Sequence, residues 1–152
     1  MADIVSPEKR SRMMAGIKRK NTTPEILVRR ALYSESLYFR LHRKDLPGSP
    51  DIILPPKKVV IFVNGCFWHQ HSGCKHSKIP SSNTDFWNVK LKKNLVRDQS
   101  AIIALLSKGW RVLTIWECAT RMKYLADGIG PSVVHWIMGD QQVGEIPARK
   151  ME

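Results

Sequence analysis

A chain of 152 residues that is 43% hydrophobic and carries a formal net charge of +12 is long enough for one domain with a buried core and too apolar to be disordered throughout. That charge, with a pI near 10, points to a polyanionic partner, with nucleic acid ahead of an anionic membrane surface. Apolar runs such as Val59–Val63 are far too short to span a bilayer, and no apolar leader follows Met1. Three cysteines cannot close a disulfide framework, so the expectation is a cytoplasmic protein with reduced thiols.

Residues 1–21 are polar and basic and read as a basic N-terminal arm or a short basic helix around Met13, Met14 and Ile17. Thr23-Pro24 marks a helix start, with proline at the first helical position, and Leu27/Ala31 and Val28/Leu32 carry the helical spacing to about Ser36. A strand is expected around Leu37–His42, then a turn at Pro47-Gly-Ser-Pro50 and a short strand at Asp51–Leu54. After Pro55-Pro56 the β-branched run Lys58–Val63 predicts a buried strand. Residues from Gly65 to about Asn83 read as a long irregular loop, and loops of that length inside a domain usually serve function. Asp85–Ser107 predicts a long helix with Trp87, Leu91 and Leu95 on one face, then Ile102 and Leu106, and with Gly109 at its C-cap. Trp110–Trp116 reads as a second buried strand, residues 120–138 as a last helix, and residues 141–152 as a flexible tail. The order α-β-β-β-α-β-α predicts an α/β domain over residues 22–140, a central sheet with helices on its faces.

The loop after the Val59–Val63 strand concentrates the chemistry. Cys66, His71 and Cys74 fall within nine residues, and with Cys118 at the end of another apolar run they make a Cys₃His set, the donor set of a closed, structural zinc site. His69 or His76 could stand in for His71, and simple burial of small cysteines is the alternative. Asp51, at the start of a strand after a tight turn, can hold Mg²⁺ beside a phosphate, although an aspartate that merely begins a turn is commoner. His69 can take a proton from water near neutral pH, or serve the metal set instead. Glu25 lies in a first helical turn, where the helix dipole alone would favour it. Phe67, Trp68 and Trp87 could stack on bases or pack in the core, and Lys90 and Lys93 could contact phosphates or form a solvated face. No His-x-Glu with a later Pro-Cys-x-x-Cys is present, which disfavours a zinc nucleoside deaminase.

Six segments, in order and at consistent spacing over about residues 7–138, resemble the very short patch repair (Vsr-type) mismatch endonucleases. They are Lys9–Met14, Leu46-Pro-Gly-Ser-Pro-Asp51, Val60-Ile-Phe-Val-Asn-Gly-Cys-Phe-Trp-His69, Phe86-Trp87, Lys93-Asn-Leu-Val-Arg-Asp98 and Gly109–Cys118. The resemblance implies a restriction-endonuclease-like three-layer α/β fold with a central mixed β-sheet flanked by helices and a structural zinc site. It implies an enzyme that nicks double-stranded DNA 5′ to the thymine of a T:G mismatch left by deamination of 5-methylcytosine. By that resemblance Asp51 holds a catalytic Mg²⁺ with the Val63 backbone carbonyl. His69 is the general base or water-positioning group, and Glu25 supports it by a hydrogen bond. Cys66, His71, Cys74 and Cys118 bind zinc. Phe67, Trp68 and Trp87 wedge beside the mismatch from the major groove, and Met14 enters from the minor groove. Mismatch-repair proteins and a cognate cytosine-5 methyltransferase system are implied partners of a bacterial, nucleoid-associated monomer.

The chain departs from the family pattern at Val63-Asn64, where the pattern has Thr-His, and by one extra residue between His71 and Cys74. A backbone ligand tolerates valine. Asn64 can donate a hydrogen bond but cannot carry a proton's charge, so the change bears on stabilisation at the scissile phosphate. Two rival readings follow: a noncatalytic zinc-stabilised DNA-binding module, and a restriction-type endonuclease acting on fully paired DNA.

Overall fold

The computed structural model describes residues 22–121 and 126–147. The expected N-terminal arm, Met14 with it, and the last five residues lie outside the described residues. In chain order the elements are α1 (Thr23–Ser34), β1 (Arg40–Leu41), β2 (Ile52–Leu54), β3 (Val59–Asn64), α2 (Thr84–Ser107), β4 (Arg111–Trp116), α3 (Ile129–Met138) and β5 (Val143–Ile146). Short 3₁₀ turns follow β2, precede α2 and follow β4.

Among the described residues five strands form one mixed sheet in the order β1-β2-β3-β4-β5, antiparallel as far as β3 and parallel beyond it. α2 makes the crossover from β3 to β4, and α3 the crossover from β4 to β5. Strand alternation then decides the layers. Ile52, Leu54, Val59, Ile61, Leu113 and Ile115 point to one face and pack with Val28 and Leu32 of α1 and Ile129, Val133 and Trp136 of α3. Ile53, Val60 and Val112 point to the other and pack with Leu105, Trp110 and Leu46. Being covered on both faces, β3 and β4 read as mainly apolar, β-branched runs rather than as alternating ones. The observed architecture is a three-layer α/β arrangement consistent with a restriction-endonuclease-like fold.

Two sequence expectations need correction. Residues 143–146, expected within the flexible tail, are strand β5, paired from Val112↔Val143 to Ile115↔Ile146. Val143-Gly-Glu-Ile146 has little strand signal of its own and is ordered by the exposed edge of β4. Leu95, expected on the packed face of α2, is 37% exposed, whereas Leu91 and Leu105 are buried. Leu95 lies at the margin of the helix face that Leu91, Ala101 and Leu105 bury.

Three local devices aim the site residues. The Thr22 hydroxyl caps α1 by accepting from the Glu25 N–H (3.4 Å), which sets Glu25 in the first turn, buried, at the sheet's edge. The Pro47–Pro50 turn closes through Ser49 N–H to Leu46 C=O (3.0 Å) and lies against α2 so tightly that a Cβ on Gly48 would come within 2.7 Å of Ala101 Cβ. Gly109 (φ 87°) ends α2, with the Trp110 N–H returning to Leu105 C=O at 3.0 Å.

Candidate active site

A cleft of about 700 Å³ opens between the start of α1, the Pro47–Pro50 turn, the end of β3 and the middle of α2. Glu25, Asp51, Val63, Asn64, Trp68, His69, Arg97, Asp98, Thr114 and Glu117 are on its wall. Asp51 sits one residue before β2. The pairing of β2 with β3 ends at Ile52↔Ile61, so the Val63 N–H has no strand partner on that side and donates to Asp51 Oδ2 at 2.8 Å. Burial pushes the Asp51 carboxyl up to about 6; the Val63 N–H opposes this, the nearby Glu25 adds to it, and His69 and Arg29 oppose it. A part-buried carboxylate with one oxygen committed and another acid beside it has the chemistry of a divalent-cation ligand.

His69 faces the same cleft, and its Nδ1 is 2.6 Å from Asp98 Oδ2. The pair is a third exposed on each side. Asp98 of α2 is thus a partner of His69 that the sequence reading did not name. Glu25 accepts from Arg29 Nη2 (3.1 Å) and lies 3.7 Å from His42 Nε2. Asp98 lies in the middle of α2, which lines the cleft beside the end of β3. Sequence reasoning did not assign roles to Asp98, Arg29, His42 or Glu117; Asp98 stood only inside a quoted motif, 29 residues from its partner. Asn64 is on the cleft wall beside Val63, as the motif order requires.

Next to the cleft, Cys66, His71, Cys74 and Cys118 converge with donor atoms within 4.8 Å of one another. His71 Nδ1 is 3.7 Å from Cys66 Sγ and 3.6 Å from Cys118 Sγ. A tetrahedral ion with metal–sulfur and metal–nitrogen bonds of 2.3 and 2.0–2.1 Å demands about 3.6 Å between such donors. The four residues therefore fit a closed thiolate–imidazole metal centre. His71 is the histidine of this group; His69 is engaged by Asp98, and His76 is not part of it. Burial pushes the Cys66 thiol up to about 12 and raises Cys118, and it lowers His71. Neutral imidazole is the ligand form, and a bound cation would offset the cost of forming the thiolates. His71 stacks on Trp116 at 4.2 Å and 9°, and Trp116 Nε1 donates to Glu145 of β5 at 3.2 Å. The surrounding loop is held by Gln70 Nε2, which donates to the carbonyls of Phe67 (2.7 Å) and Ser77 (3.0 Å).

Phe67, Trp68 and Trp87 form one half-exposed cluster, with edge-on contacts of 5.1, 5.3 and 5.9 Å between ring centroids. Asn94 Nδ2 donates to the Trp68 carbonyl (3.1 Å), and Lys90 Nζ lies 5.9 Å over the Trp68 ring. Lys90 and Lys93 are exposed on α2.

The sequence profile described as "DNA mismatch endonuclease Vsr" matches residues 2–76. The DNA mismatch endonuclease Vsr of Escherichia coli (strain K12) is 37% identical over 148 residues, covering 96% of this chain and 94% of its own. The chain belongs to the Vsr family of DNA mismatch endonucleases. The type II nicking enzyme V.XorIIP of Xanthomonas oryzae pv. oryzae is 49% identical over 118 residues, 78% of this chain and 86% of the relative. V.NmeAIP of Neisseria meningitidis, also a type II nicking enzyme, is 43% identical over 123 residues, 81% of this chain and 87% of the relative. These endonuclease relatives make the Vsr-family chain a nuclease-type hydrolase whose substrate is DNA. Among the described residues, no helix of this Vsr-family chain is long and apolar enough to cross a membrane.

Proposed function

We propose that this chain is a Mg²⁺-dependent, zinc-stabilised endonuclease. It nicks duplex DNA 5′ to the thymine of a T:G mismatch left by 5-methylcytosine deamination, and so begins very short patch repair. The observation that carries the reading is the part-buried Asp51 carboxylate and the His69–Asp98 pair on the wall of one cleft.

Asp51 and the Val63 carbonyl are the residues that would hold Mg²⁺, which when bound polarises the scissile phosphate and neutralises the leaving oxygen. With Nδ1 engaged by Asp98, His69 offers Nε2 to a water in the cleft. As the water oxygen bonds to phosphorus and the P–O bond to the leaving oxygen breaks, the water proton passes to Nε2, and Asp98 stabilises the resulting imidazolium. Glu25 acts on the Asp51 side, through the charge it sets beside that carboxylate. Asn64 donates a hydrogen bond toward the phosphate without the charge a histidine would bring. The Phe67–Trp68–Trp87 cluster enters beside the mismatch, with Met14 opposite it in the minor groove. A mismatched step costs less to unstack than a paired one. Lys90 and Lys93 take phosphates, and the Cys66–His71–Cys74–Cys118 zinc ties the wedge loop to the end of β4. The enzyme works as a cytoplasmic monomer alongside mismatch-repair proteins and a cytosine-5 methyltransferase.

The test is strand-specific nicking of a labelled duplex with one T:G pair against its T:A control, with and without Mg²⁺, in several flanking sequences. Mg²⁺-dependent nicking 5′ to the mismatched thymine alone is expected. Equal cutting of both duplexes on both strands would make the chain a restriction-type enzyme. Binding in every context without cutting would make it a DNA-binding module, and Asn64→His would then be the variant to restore cleavage.

A further inference from the structure

The register of the first two strands brings an imidazole to the metal-binding carboxylate. β1 and β2 pair Arg40↔Ile53 and Leu41↔Ile52, and one step further this register sets His42 opposite Asp51. The His42 N–H donates to the Asp51 carbonyl at 3.2 Å, which continues the ladder. Directly opposed residues of an antiparallel pair have neighbouring side chains. Glu25 arrives from the first turn of α1, and Glu25, His42 and Asp51 present donor atoms all within 4.8 Å of one another. His42 holds a left-handed backbone (φ 54°), a conformation uncommon outside glycine and frequent where structure serves a site.

The tautomer can be read from its neighbour. Arg29 Nη2 lies 3.0 Å from His42 Nε2, and a guanidinium only donates. Nε2 therefore presents its lone pair to the cluster, the form a metal ligand takes. The same Nη2 donates to Glu25 Oε2 at 3.1 Å, so a cationic group already stands where the two donors meet. Two carboxylates and one imidazole form a mixed oxygen–nitrogen set. Mg²⁺ keeps to oxygen ligands, whereas first-row transition ions also take imidazole nitrogen.

We propose that His42 joins Glu25 and Asp51 as a nitrogen ligand of one divalent-cation site that prefers a transition ion such as Mn²⁺ to Mg²⁺, with the Arg29 guanidinium as its internal competitor. The proposal rests on the metal role proposed above for Asp51 and adds to it a ligand and an ion preference. Arg29 turns outward when the ion enters.

The experiment uses the full-length, zinc-loaded protein and Mn²⁺ as the probe. Binding is followed by the loss of the free-ion electron paramagnetic resonance signal, and the ligand by ¹⁴N modulation of the bound-ion spin echo. Wild type is expected to bind Mn²⁺ more tightly than Mg²⁺ and to show imidazole ¹⁴N coupling. His42→Asn should abolish the coupling and weaken Mn²⁺ binding by at least the ~10–100-fold that loss of even an outer-shell partner costs. Asparagine is chosen because it tolerates the left-handed backbone. His69→Gln should keep the coupling, and Arg29→Met should keep it and tighten binding. Coupling absent from wild type, coupling that survives His42→Asn, or weaker binding in Arg29→Met would each overturn the assignment. If Asp51→Asn abolishes Mn²⁺ binding while wild type shows no ¹⁴N coupling, only the His42 ligand role fails. If Asp51→Asn leaves binding unchanged, the metal role of Asp51 fails and this site with it.

Discussion

Asp51→Asn removes a charge that the fold holds at a cost. The carboxyl titrates at about 6 in the folded protein against 3.8 ordinarily, chiefly because it is buried. The folded protein thus holds this proton more tightly than the unfolded chain does. Stability from this group is complete below about pH 3.8, falls as pH rises, and is lost once pH passes about 6. The full difference corresponds to about 3 kcal/mol at pH 8; water in the cleft screens part of it, so ~1–3 kcal/mol is the working range. Asparagine is isosteric, and its oxygen can still accept from the Val63 N–H. The variant should therefore be more stable than wild type at pH 8 by that amount and lose the advantage at pH 4. For a chain of this size the gain at pH 8 is roughly 3–10 °C in Tm. The assay is thermal or urea unfolding of both proteins from pH 4 to 8, without added Mg²⁺ and without chelators, so that the Cys/His centre stays loaded. Adding Mg²⁺ at pH 8 should stabilise wild type alone and narrow the gap, while nicking by the variant is lost. An equal gain at both pH values, or none at pH 8, would refute the argument from a buried charge.

Other outcomes follow from the same geometry. His69→Gln should lower nicking by about 10²–10⁴-fold. Asp98→Asn should give a similar loss, and the double variant should fall little further, because the two act as one unit; single-turnover nicking measures the cycle, and fully additive losses would separate them. Cys74→Ser should bring zinc below one ion per chain by elemental analysis and lower stability by several kcal/mol, a fraction of the ~10–16 kcal/mol with which structural zinc is held. Unchanged zinc content would take Cys74 out of the ligand set. Lys90→Ala with Lys93→Ala should weaken binding to matched and mismatched duplexes alike. It should also reduce the slope of log affinity against log salt by about 1.8, or about 0.9 for each phosphate contact. A loss confined to the mismatched duplex would show that these lysines read the lesion rather than the backbone.

The parts of this protein that were legible from its residues share one property: their signal is local. Val59–Val63 is an unbroken apolar run and Trp110–Trp116 is apolar but for Arg111 and Thr114, the pattern of strands covered on both faces. α1 announces itself through Thr23-Pro24 and its helical spacing, although its cap is Thr22, one residue earlier than that pair suggests, and α2 through its length and Gly109. Cys66, His71 and Cys74 stand close enough in sequence to suggest a shared ion, and Cys118 lies just beyond a strand whose parallel pairing with β3 returns it to them. Tertiary structure alone decided the rest, because those features are made by neighbours remote in sequence. β5 is a strand because β4 offers it an edge. Leu95 is exposed because it lies at the margin of the α2 face that Leu91, Ala101 and Leu105 bury. His69 meets Asp98 because α2 passes the end of β3 there, and no spacing rule spans the 29 residues between them. His42 faces Asp51 only through the β1–β2 register, and a slip of one residue would turn it to the opposite face of the sheet.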